Sequence, residues 1–272
     1  MLDTGAERLL VIAPAYNEAG AIGRVVRAVR EIAPRADVLV VDDGSTDDTA
    51  TLAATAGATV VRHPYNLGIG ATVQTGLKFA CALGYDLVVR VDGDGQHRHE
   101  DIPALYAALH EADADAAFGS RFLPDGPWRG ALPGGMAIPP MRRAGIVCFS
   151  CLIFALTGQR ATDPTSGFAC FNRRAATVLA VFMPQDYPEV ESRVILHRAG
   201  LRTVETPTQM QPRRTGESSI TAARSLYYAG KVSVAVLLTA LKTLDRGSQP
   251  ERPIGAIRSL RGARRSQSWP SH

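Results

Sequence analysis

The sequence lacks the features that mark membrane-spanning, secreted and nucleic-acid-binding proteins. No apolar stretch reaches the roughly 20 residues of a spanning helix, and the apolar run near the N-terminus is too short for a signal peptide. The four cysteines lie in apolar or strand-like segments without the spacing of a disulfide framework, which favours a reduced, cytoplasmic protein. The surplus of positive charge lies in an arginine-rich tail after Asp245, so the nearly neutral body is not expected to bind nucleic acid.

Several short motifs are also absent. Gly230-Lys231 has no glycine-rich loop before it, which excludes a P-loop, and Leu67–Gly76 lacks the third glycine position of a dinucleotide fingerprint. A loop starting at Asp92 lacks the glycine and glutamate that an EF-hand requires. Cys148-x-x-Cys151 has no second pair of zinc ligands, so we expect both thiols to pack in the core.

Short apolar runs alternate with amphipathic segments through the first hundred residues. This alternation predicts an α/β fold with a mostly parallel sheet, whose ligand crevice lies at the carboxyl ends of the strands. The predicted strands are Leu9–Ala13, Val38–Val41, Thr59–Arg62, Leu87–Val91, Ala114–Gly119, Phe168–Asn172 and Leu201–Thr206.

The stretch Val88–His97 ends a predicted strand in two carboxylates. Asp92 and Asp94 are two residues apart, so both lie on the same side of an extended chain, and the glycines after them leave room for a ligand. Oxygen donors beside open space suit Mg²⁺ or Mn²⁺, which complete their shell with water and phosphate oxygens. The alternative is an acidic turn without a ligand.

Polar residues also follow the other three strands of the first half. Because parallel strands end at one edge of a sheet, a single crevice would collect these residues. Turn formation alone explains one such cluster better than it explains four in succession. The clusters are Tyr16-Asn17-Glu18, Asp42-Asp43 and Asn66–Gly70.

Seven motifs, in order, resemble family 2 glycosyltransferases of the GT-A fold, specifically the branch of dolichyl- and polyprenyl-phosphate sugar synthases. They run from about residue 10 to residue 220. They are Pro14-Ala15-Tyr16-Asn17-Glu18, Val41–Thr49, Asn66–Ala71, Asp92–His97, Gly119–Phe122, Thr165-Ser166-Gly167-Phe168 and Arg213–Ser218.

The resemblance implies a Rossmann-like GT-A sheet flanked by helices, with a C-terminal amphipathic helix. It also implies metal-dependent, inverting transfer of a sugar from a nucleoside diphosphate sugar to a polyprenyl phosphate or other lipid-linked acceptor. The donor would contact Pro14, Ala15, Tyr16, Glu18, Asp42, Asp43, Gly68, Gly70, Asp92 and Arg213. The Mg²⁺ or Mn²⁺ cofactor would be held by Asp92, Asp94 and Gln96. The acceptor would contact Arg121 and Ser166. Catalysis would involve Asp94, Glu191 and Arg214, and we add Asp186 as an extra acid of this chain that could act as a base.

The resemblance, which covers about residues 10–220, and the composition of the remainder together divide the chain. Residues 1–245 would form the glycosyltransferase domain, with a nucleotide-sugar half at 1–120, an acceptor half at 121–220 and an amphipathic helix at 221–245. Residues 246–272 would be a basic, disordered tail, suited to anionic lipid headgroups. We expect a cytoplasmic protein, with peripheral contact at the inner face of a membrane and a homodimer both left open.

The second half leaves alternatives open. The proline-rich stretch Leu123–Pro140 predicts a substrate-dependent lid. Arg142–Leu156 is apolar nearly all round, which fits either a buried helix or one lying on lipid. Leu226–Leu244 suits an interface or a dimer contact.

Two features bear on the acceptor and on the reaction class. A hydroxyl acceptor on a soluble glycan or natural product needs a base, for which Asp186, Glu189 and Glu191 are candidates, whereas a phosphate is already an anion. Ser219 stands where this branch commonly has a lysine, which weakens the case for a lipid phosphate. A nucleotidyltransferase would also use an acidic pair and a metal, and a non-catalytic nucleotide-sugar sensor is a further alternative.

Overall fold

The strands and helices alternate along the first half of the chain, as the sequence predicts. A computed structural model describes residues 2–123 and 140–210, together with residues 231, 234 and 236–238. The strands are β1 Leu9–Ala15, β2 Asp37–Asp42, β3 Thr59–Arg62, β4 Leu87–Arg90, β5 Ala116–Ser120, β6 Ala169–Asn172 and β7 Thr203–Pro207. The helices are α1 Ile22–Ile32, α2 Thr49–Thr55, α3 Ile69–Leu83, α4 Ile102–Glu111, α5 Pro140–Thr157, α6 Arg173–Phe182 and α7 Pro188–Arg198. A short 3₁₀ turn, His99–Asp101, precedes α4.

The seven strands form one sheet in the order β3-β2-β1-β4-β6-β5-β7. β1 pairs in parallel with β2 and β4, β2 with β3, and β5 with β7. β6 runs antiparallel to both of its neighbours, β4 and β5. The prediction of a mostly parallel α/β sheet is confirmed. The reversed direction of β6 is a feature that the apolar pattern of that segment does not reveal.

Helices cover both faces of the sheet, which explains why its central strands are apolar without alternation. Every residue of β1 and β4 is buried. Val25 and Val29 of α1 pack on one face together with Leu105 of α4. Leu77 of α3 and Leu179 of α6 pack on the other face. The edge that carries the polar clusters is therefore supported from both sides.

Backbone hydrogen bonds continue past the ends of β1, β2 and β4. The N–H of Asp43 donates to the carbonyl of Ala15 (2.9 Å), and the N–H of Gly93 donates to the carbonyl of Pro14 (3.2 Å). These bonds hold the segments after the three strands side by side. The polar clusters are thus fixed at one edge by the extension of the sheet itself.

Helix α5 is buried on one side and exposed on the other. Phe149 and Ile153 pack against α7, while Val147 and Phe154 are about half exposed. Cys148 and Cys151 are also exposed. The prediction that these two thiols pack in the core is wrong, because a helix that is apolar all round gives no periodic signal of its inward face.

Two predicted regions fall largely outside the described residues. They are the proline-rich stretch, of which residues 124–139 are not described, and the basic tail. Of the predicted C-terminal amphipathic helix, the described residues are helical, with Val236 buried and Val234, Leu237 and Leu238 exposed. Within the described parts of the chain, no helix combines the length and apolarity needed to cross a membrane.

Candidate active site

A cleft of about 420 Å³ opens at the carboxyl ends of β1, β2 and β4. It gathers segments that lie far apart in the sequence, from the loop after β1 to the first turn of α7. Its lining residues are Pro14, Ala15, Tyr16, Glu18, Asp43, Asn66, Gly68, Ile69, Thr72, Arg90, Asp92, Gly93, Asp94 and Glu189. The crevice that the sequence predicts at this edge is therefore present.

The loop after β4 places Asp92 and Asp94 on the cleft. A Cβ atom on Gly93 would lie 2.7 Å from the carbonyl oxygen of Pro14, so only glycine allows this close approach. The N–H of Gln96 donates to Oδ1 of Asp94 (2.9 Å), which closes the turn. Gln96 itself is not among the residues that line the cleft.

His97 fixes the first of the two carboxylates. The N–H of Asp92 donates to Nδ1 of His97 (3.0 Å), and Nε2 lies 3.4 Å from Oδ2 of Asp92. Since Nδ1 accepts a hydrogen bond, the ring proton is on Nε2 and the ring is neutral. Burial lowers the pKa of His97, in agreement with this state. His97 was not predicted as a site residue.

The residues present fit a hard divalent cation that also binds its substrate. Among the described residues, no three His, Cys, Asp or Glu side chains gather at metal-binding distance. Asp92 and Asp94 offer carboxylate oxygens beside an open cleft, which leaves the remaining ligand positions to water and phosphate oxygens. That ligand set is the one that Mg²⁺ and Mn²⁺ take in phosphate-binding enzymes.

Asp42 and Asp43 have different positions. Asp43 lines the cleft and accepts hydrogen bonds from the N–H groups of Leu67 (2.9 Å) and Gly68 (2.8 Å). His63 approaches the same carboxylate through Nδ1 (2.7 Å). Asp43 therefore holds the loop after β3 against the cleft.

Asp42 is fully buried and does not line the cleft. Its Oδ1 accepts the N–H of Ser45 (3.0 Å), and Arg62 Nε lies 3.1 Å from its Oδ2. Of these two predicted donor-binding residues, the structure therefore places only Asp43 on the cleft.

Gly68 and Gly70 also have different surroundings. Gly68 lines the cleft, has a φ of +92° and faces open space, so a ligand can approach its backbone. A Cβ atom on Gly70 would lie 2.0 Å from the carbonyl oxygen of Pro184. The start of α3 therefore packs against the segment that leads into α7, and Gly70 makes that packing possible.

The end of β1 and the loop after it contribute Pro14, Ala15, Tyr16 and Glu18 to the lining. Tyr16 is 46% exposed, so its ring is open to a planar ligand. Asn17 connects this loop to the one after β2, because its side-chain oxygen accepts the N–H of Thr46 (2.9 Å). The four predicted donor-binding residues of this segment therefore all lie on the cleft.

Arg90 and Glu189 join the two halves of the cleft. Arg90 ends β4 and is buried, and its Nη2 lies 2.6 Å from Oε1 of Glu189 and 3.5 Å from Oδ1 of Asp92. Burial lowers the pKa of Arg90, but the two carboxylates raise it more, so the guanidinium stays charged. Arg90 was not predicted as a site residue, although an arginine within an apolar strand is a signal that could have been used.

The acids of α7 and of the preceding segment occupy three different environments. Glu189 lines the cleft, whereas Glu191 is buried elsewhere and Asp186 lies outside the lining. Asp186 is paired with Lys231, whose Nζ is 2.9 Å from Oδ2. Neither Asp186 nor Glu191, the two acids predicted as catalytic, is placed on the cleft.

The predicted acceptor contacts are placed away from the cleft as well. Arg121 is buried and forms a bidentate pair with Asp163, with Nε 2.5 Å from Oδ2 and Nη2 2.7 Å from Oδ1. Burial alone would raise the pKa of Asp163, but the hydrogen bonds and the charge of Arg121 outweigh this effect, so the pKa is lowered. Ser166 is buried and also absent from the lining. Arg213 and Arg214 lie outside the described residues.

Comparison with known proteins assigns the fold and the cleft to a family. The model of the family "Glycosyl transferase family 2" matches residues 10–177, which include β1 to β6 and most of the cleft. The chain belongs to glycosyl transferase family 2. It is a glycosyltransferase.

Some relatives of the chain are named for transfer to a lipid phosphate. The undecaprenyl-phosphate mannosyltransferase of Micrococcus luteus is 31% identical over 229 residues, which covers 78% of this chain and 87% of the relative. The UDP-N-acetylglucosamine–dolichyl-phosphate N-acetylglucosaminyltransferase of Methanococcus voltae is 28% identical over 193 residues, 64% of this chain and 74% of the relative. The resemblance to the polyprenyl-phosphate branch of family 2 is confirmed by such relatives.

Solved structures confirm the GT-A fold. Glucosyl-3-phosphoglycerate synthase from Mycobacterium tuberculosis, crystallised with Mn²⁺, uridine diphosphate and phosphoglyceric acid, superposes with a TM-score of 0.63. The match covers 89% of this chain and 81% of the other at 20% identity. At that identity the likeness shows the shared fold.

Proposed function

We propose that this glycosyltransferase moves a sugar, with inversion, from a nucleoside diphosphate sugar to a polyprenyl phosphate or other lipid-linked acceptor, with Mg²⁺ or Mn²⁺ as cofactor. The observation that carries the proposal is the meeting of Asp92 and Asp94 with Tyr16, Glu18 and Asp43 in one cleft. The acidic pair suits a cation on a diphosphate, and the other residues suit a nucleoside.

The lining suggests how the donor lies. Tyr16 offers an exposed ring to the base, Glu18 offers a carboxylate to the ribose hydroxyls, and Gly68 allows close approach of the backbone. The diphosphate would then extend toward Asp92 and Asp94. A divalent cation bound there would stabilise the negative charge that develops on the departing nucleoside diphosphate.

An anionic acceptor agrees with the state of the nearby acids. A hydroxyl acceptor must lose a proton as it attacks, so it needs a carboxylate base within hydrogen-bonding reach. Glu189 is the acid of α7 on the cleft, and it is held at 2.6 Å by Arg90. A phosphate attacks without such a base. The named substrates of the relatives support the same choice.

Glu189 also supports the second candidate, transfer to a hydroxyl of a soluble glycan or natural product. It is the one acid among Asp186, Glu189 and Glu191 that lines the cleft. If it is the base, Glu189→Gln abolishes transfer to a hydroxyl.

The experiment combines a donor panel with two matched acceptors. Nucleoside diphosphate sugars are first screened by thermal shift with and without Mn²⁺, because a ligand of the native state raises its melting temperature. The best donor, labelled in the sugar, is then incubated with polyprenyl phosphate or with the same polyprenol lacking the phosphate. We expect labelled lipid only with the phosphate. Labelling of the polyprenol, or of neither lipid, contradicts the lipid-phosphate proposal.

A variant enzyme tests the cation site in the same assay. Asp92→Asn combined with Asp94→Asn removes both negative charges but keeps similar side-chain volumes. We expect transfer to fall by roughly 100-fold or more, since charge stabilisation on the leaving group is a large part of catalysis. Unchanged transfer contradicts the cation site. Release of diphosphate from a sugar 1-phosphate and a nucleoside triphosphate would instead indicate a nucleotidyltransferase.

A further inference from the structure

A buried positive charge lies next to the place proposed for a divalent cation. Nη2 of Arg90 is 3.5 Å from Oδ1 of Asp92, and Asp92 is one of the two carboxylates of the acidic pair. A cation bound by Asp92 would lie within a few ångströms of the guanidinium. Because like charges repel strongly where water is scarce, an uncompensated arginine at this position would weaken cation binding.

Arg90 is held in this position by its surroundings. It is 5% exposed, and a Cβ atom on Gly167 would lie 2.7 Å from its Nη2. The glycine therefore leaves room for the guanidinium against the backbone. Among the residues that the structure describes, the buried Nε of Arg90 has no hydrogen-bond partner. Arg90 is therefore packed against Gly167 with its guanidinium beside Asp92.

Glu189 supplies the compensating charge. Its Oε1 lies 2.6 Å from Nη2 of Arg90, closer than Asp92, and its side chain is 21% exposed on the cleft wall. Glu189 comes from the first turn of α7, whereas Arg90 ends β4 and Asp92 lies in the loop after it. The ion pair therefore links the half of the chain that carries the acidic pair to the other half.

We propose that Arg90 and Glu189 are positioning residues that set the charge around the cation site, with Glu189 neutralising Arg90 so that Asp92 can bind a divalent cation. This inference rests on the proposed function, because it assumes a cation at Asp92 and Asp94. It assigns neither residue to the coordination shell. The pair acts through Asp92. Loss of Glu189 would leave the positive charge of Arg90 uncompensated, which would weaken the binding of a cation and strengthen the binding of an anion.

Because cation binding and anion binding should change in opposite directions, the inference can be tested by binding measurements that do not depend on turnover. Mn²⁺ alone is the probe, and its dissociation constant is measured by electron paramagnetic resonance of the free ion. We expect Glu189→Gln to weaken Mn²⁺ binding by roughly tenfold, equivalent to about 1.4 kcal/mol. Arg90→Met should tighten binding, and the double variant should return to within about threefold of the wild type, since it restores the original charge sum.

A second probe separates a charge effect from a folding defect. Binding of uridine diphosphate without metal should become tighter in Glu189→Gln, because the guanidinium of Arg90, no longer neutralised by Glu189, attracts the diphosphate. A misfolded cleft would instead weaken the binding of both Mn²⁺ and uridine diphosphate. Glu189→Asp, which keeps the charge, should retain Mn²⁺ binding. Asp86→Asn is the matched control, since it removes a charge paired with Arg173 just before β4 begins, and it should change neither constant.

The outcomes distinguish this inference from the proposed function. Wild-type binding of Mn²⁺ that is lost in the Asp92→Asn, Asp94→Asn variant but unchanged in Glu189→Gln overturns the role of the ion pair and leaves the cation site standing. A double variant as weak as Glu189→Gln also overturns the role. If the wild type binds Mn²⁺ no better than the Asp92→Asn, Asp94→Asn variant, the cation site is wrong and the inference is overturned with it.

Discussion

Single glycines show how differently two residues of one motif can act. Gly68 and Gly70 stand two positions apart, and the family resemblance implies the same donor contact for both. The structure places only Gly68 on the cleft, with a left-handed backbone and open space at its α-carbon. Gly70 instead packs against the chain before α7, and its N–H lies 3.3 Å from the carbonyl of Gln185. One-dimensional spacing cannot separate contact with a ligand from contact with another part of the chain.

Replacement of Gly70 tests this packing. We expect Gly70→Ala to lower the free energy of unfolding by roughly 2 kcal/mol, because its Cβ would overlap backbone atoms that cannot turn aside. Chemical denaturation measures the change. Gly145→Ala, at a helical position with open space, should be neutral or stabilising. Equal stability of the two variants would contradict the close contact.

At the scale of single elements, α5 is the helix that sequence reasoning describes least well. Its residues are apolar on nearly every side, so the period of 3.6 residues carries no information about direction. Its contact with α7, made by Phe149 and Ile153, decides which side is buried. By contrast, α1 has one buried apolar stripe that includes Ile22, Val25 and Val29, so its amphipathic pattern indicates which side faces the sheet.

The exposure of α5 predicts which thiols react. In the folded protein we expect Cys148 and Cys151, which are exposed, to be labelled by a water-soluble thiol reagent within minutes. Cys170 is buried in β6, and burial raises its pKa to about 12, so it should react only after unfolding. Mass spectrometry of labelled peptides measures both. Protection of Cys148 and Cys151 would contradict the exposed face.

At the scale of the whole molecule, a buried charge network connects the end of β5, the segment before β6, helix α7 and strand β7. Arg121 pairs with Asp163, and Arg193 pairs with Glu205 (3.0 Å) while its Nη2 donates to the carbonyl of Asp163. The family resemblance implies an acceptor contact for Arg121. Its bidentate pairing, which only tertiary structure reveals, favours a structural role for this arginine.

The network predicts a loss of stability in acid. Since the pKa of Asp163 is lowered in the folded state, its contribution is present above the unfolded pKa of about 3.9 and is lost as the pH falls through the folded pKa. Asp163→Asn should cost roughly 3 kcal/mol near neutral pH, because it leaves Arg121 without its counter-charge. The variant should also show a weaker decline below about pH 4.

Denaturation curves at several pH values measure these quantities. Asp3→Asn, which removes an exposed ion pair with Arg35, is the control and should change stability little. If Asp163→Asn is as stable as this control, the buried pair does not stabilise the fold.

The sequence by itself determined the strands, the helices of the first half and the edge on which the polar clusters meet. Those features follow from local patterns: apolar runs that need burial on both faces, and the common direction of parallel strands. It also identified Asp92 and Asp94, whose spacing and flanking glycines are local. Tertiary structure decided the rest. The neutralisation of Arg90 by Glu189, the separation of Asp42 from Asp43 and the exposed side of α5 depend on contacts between residues far apart in the chain, which no local pattern records.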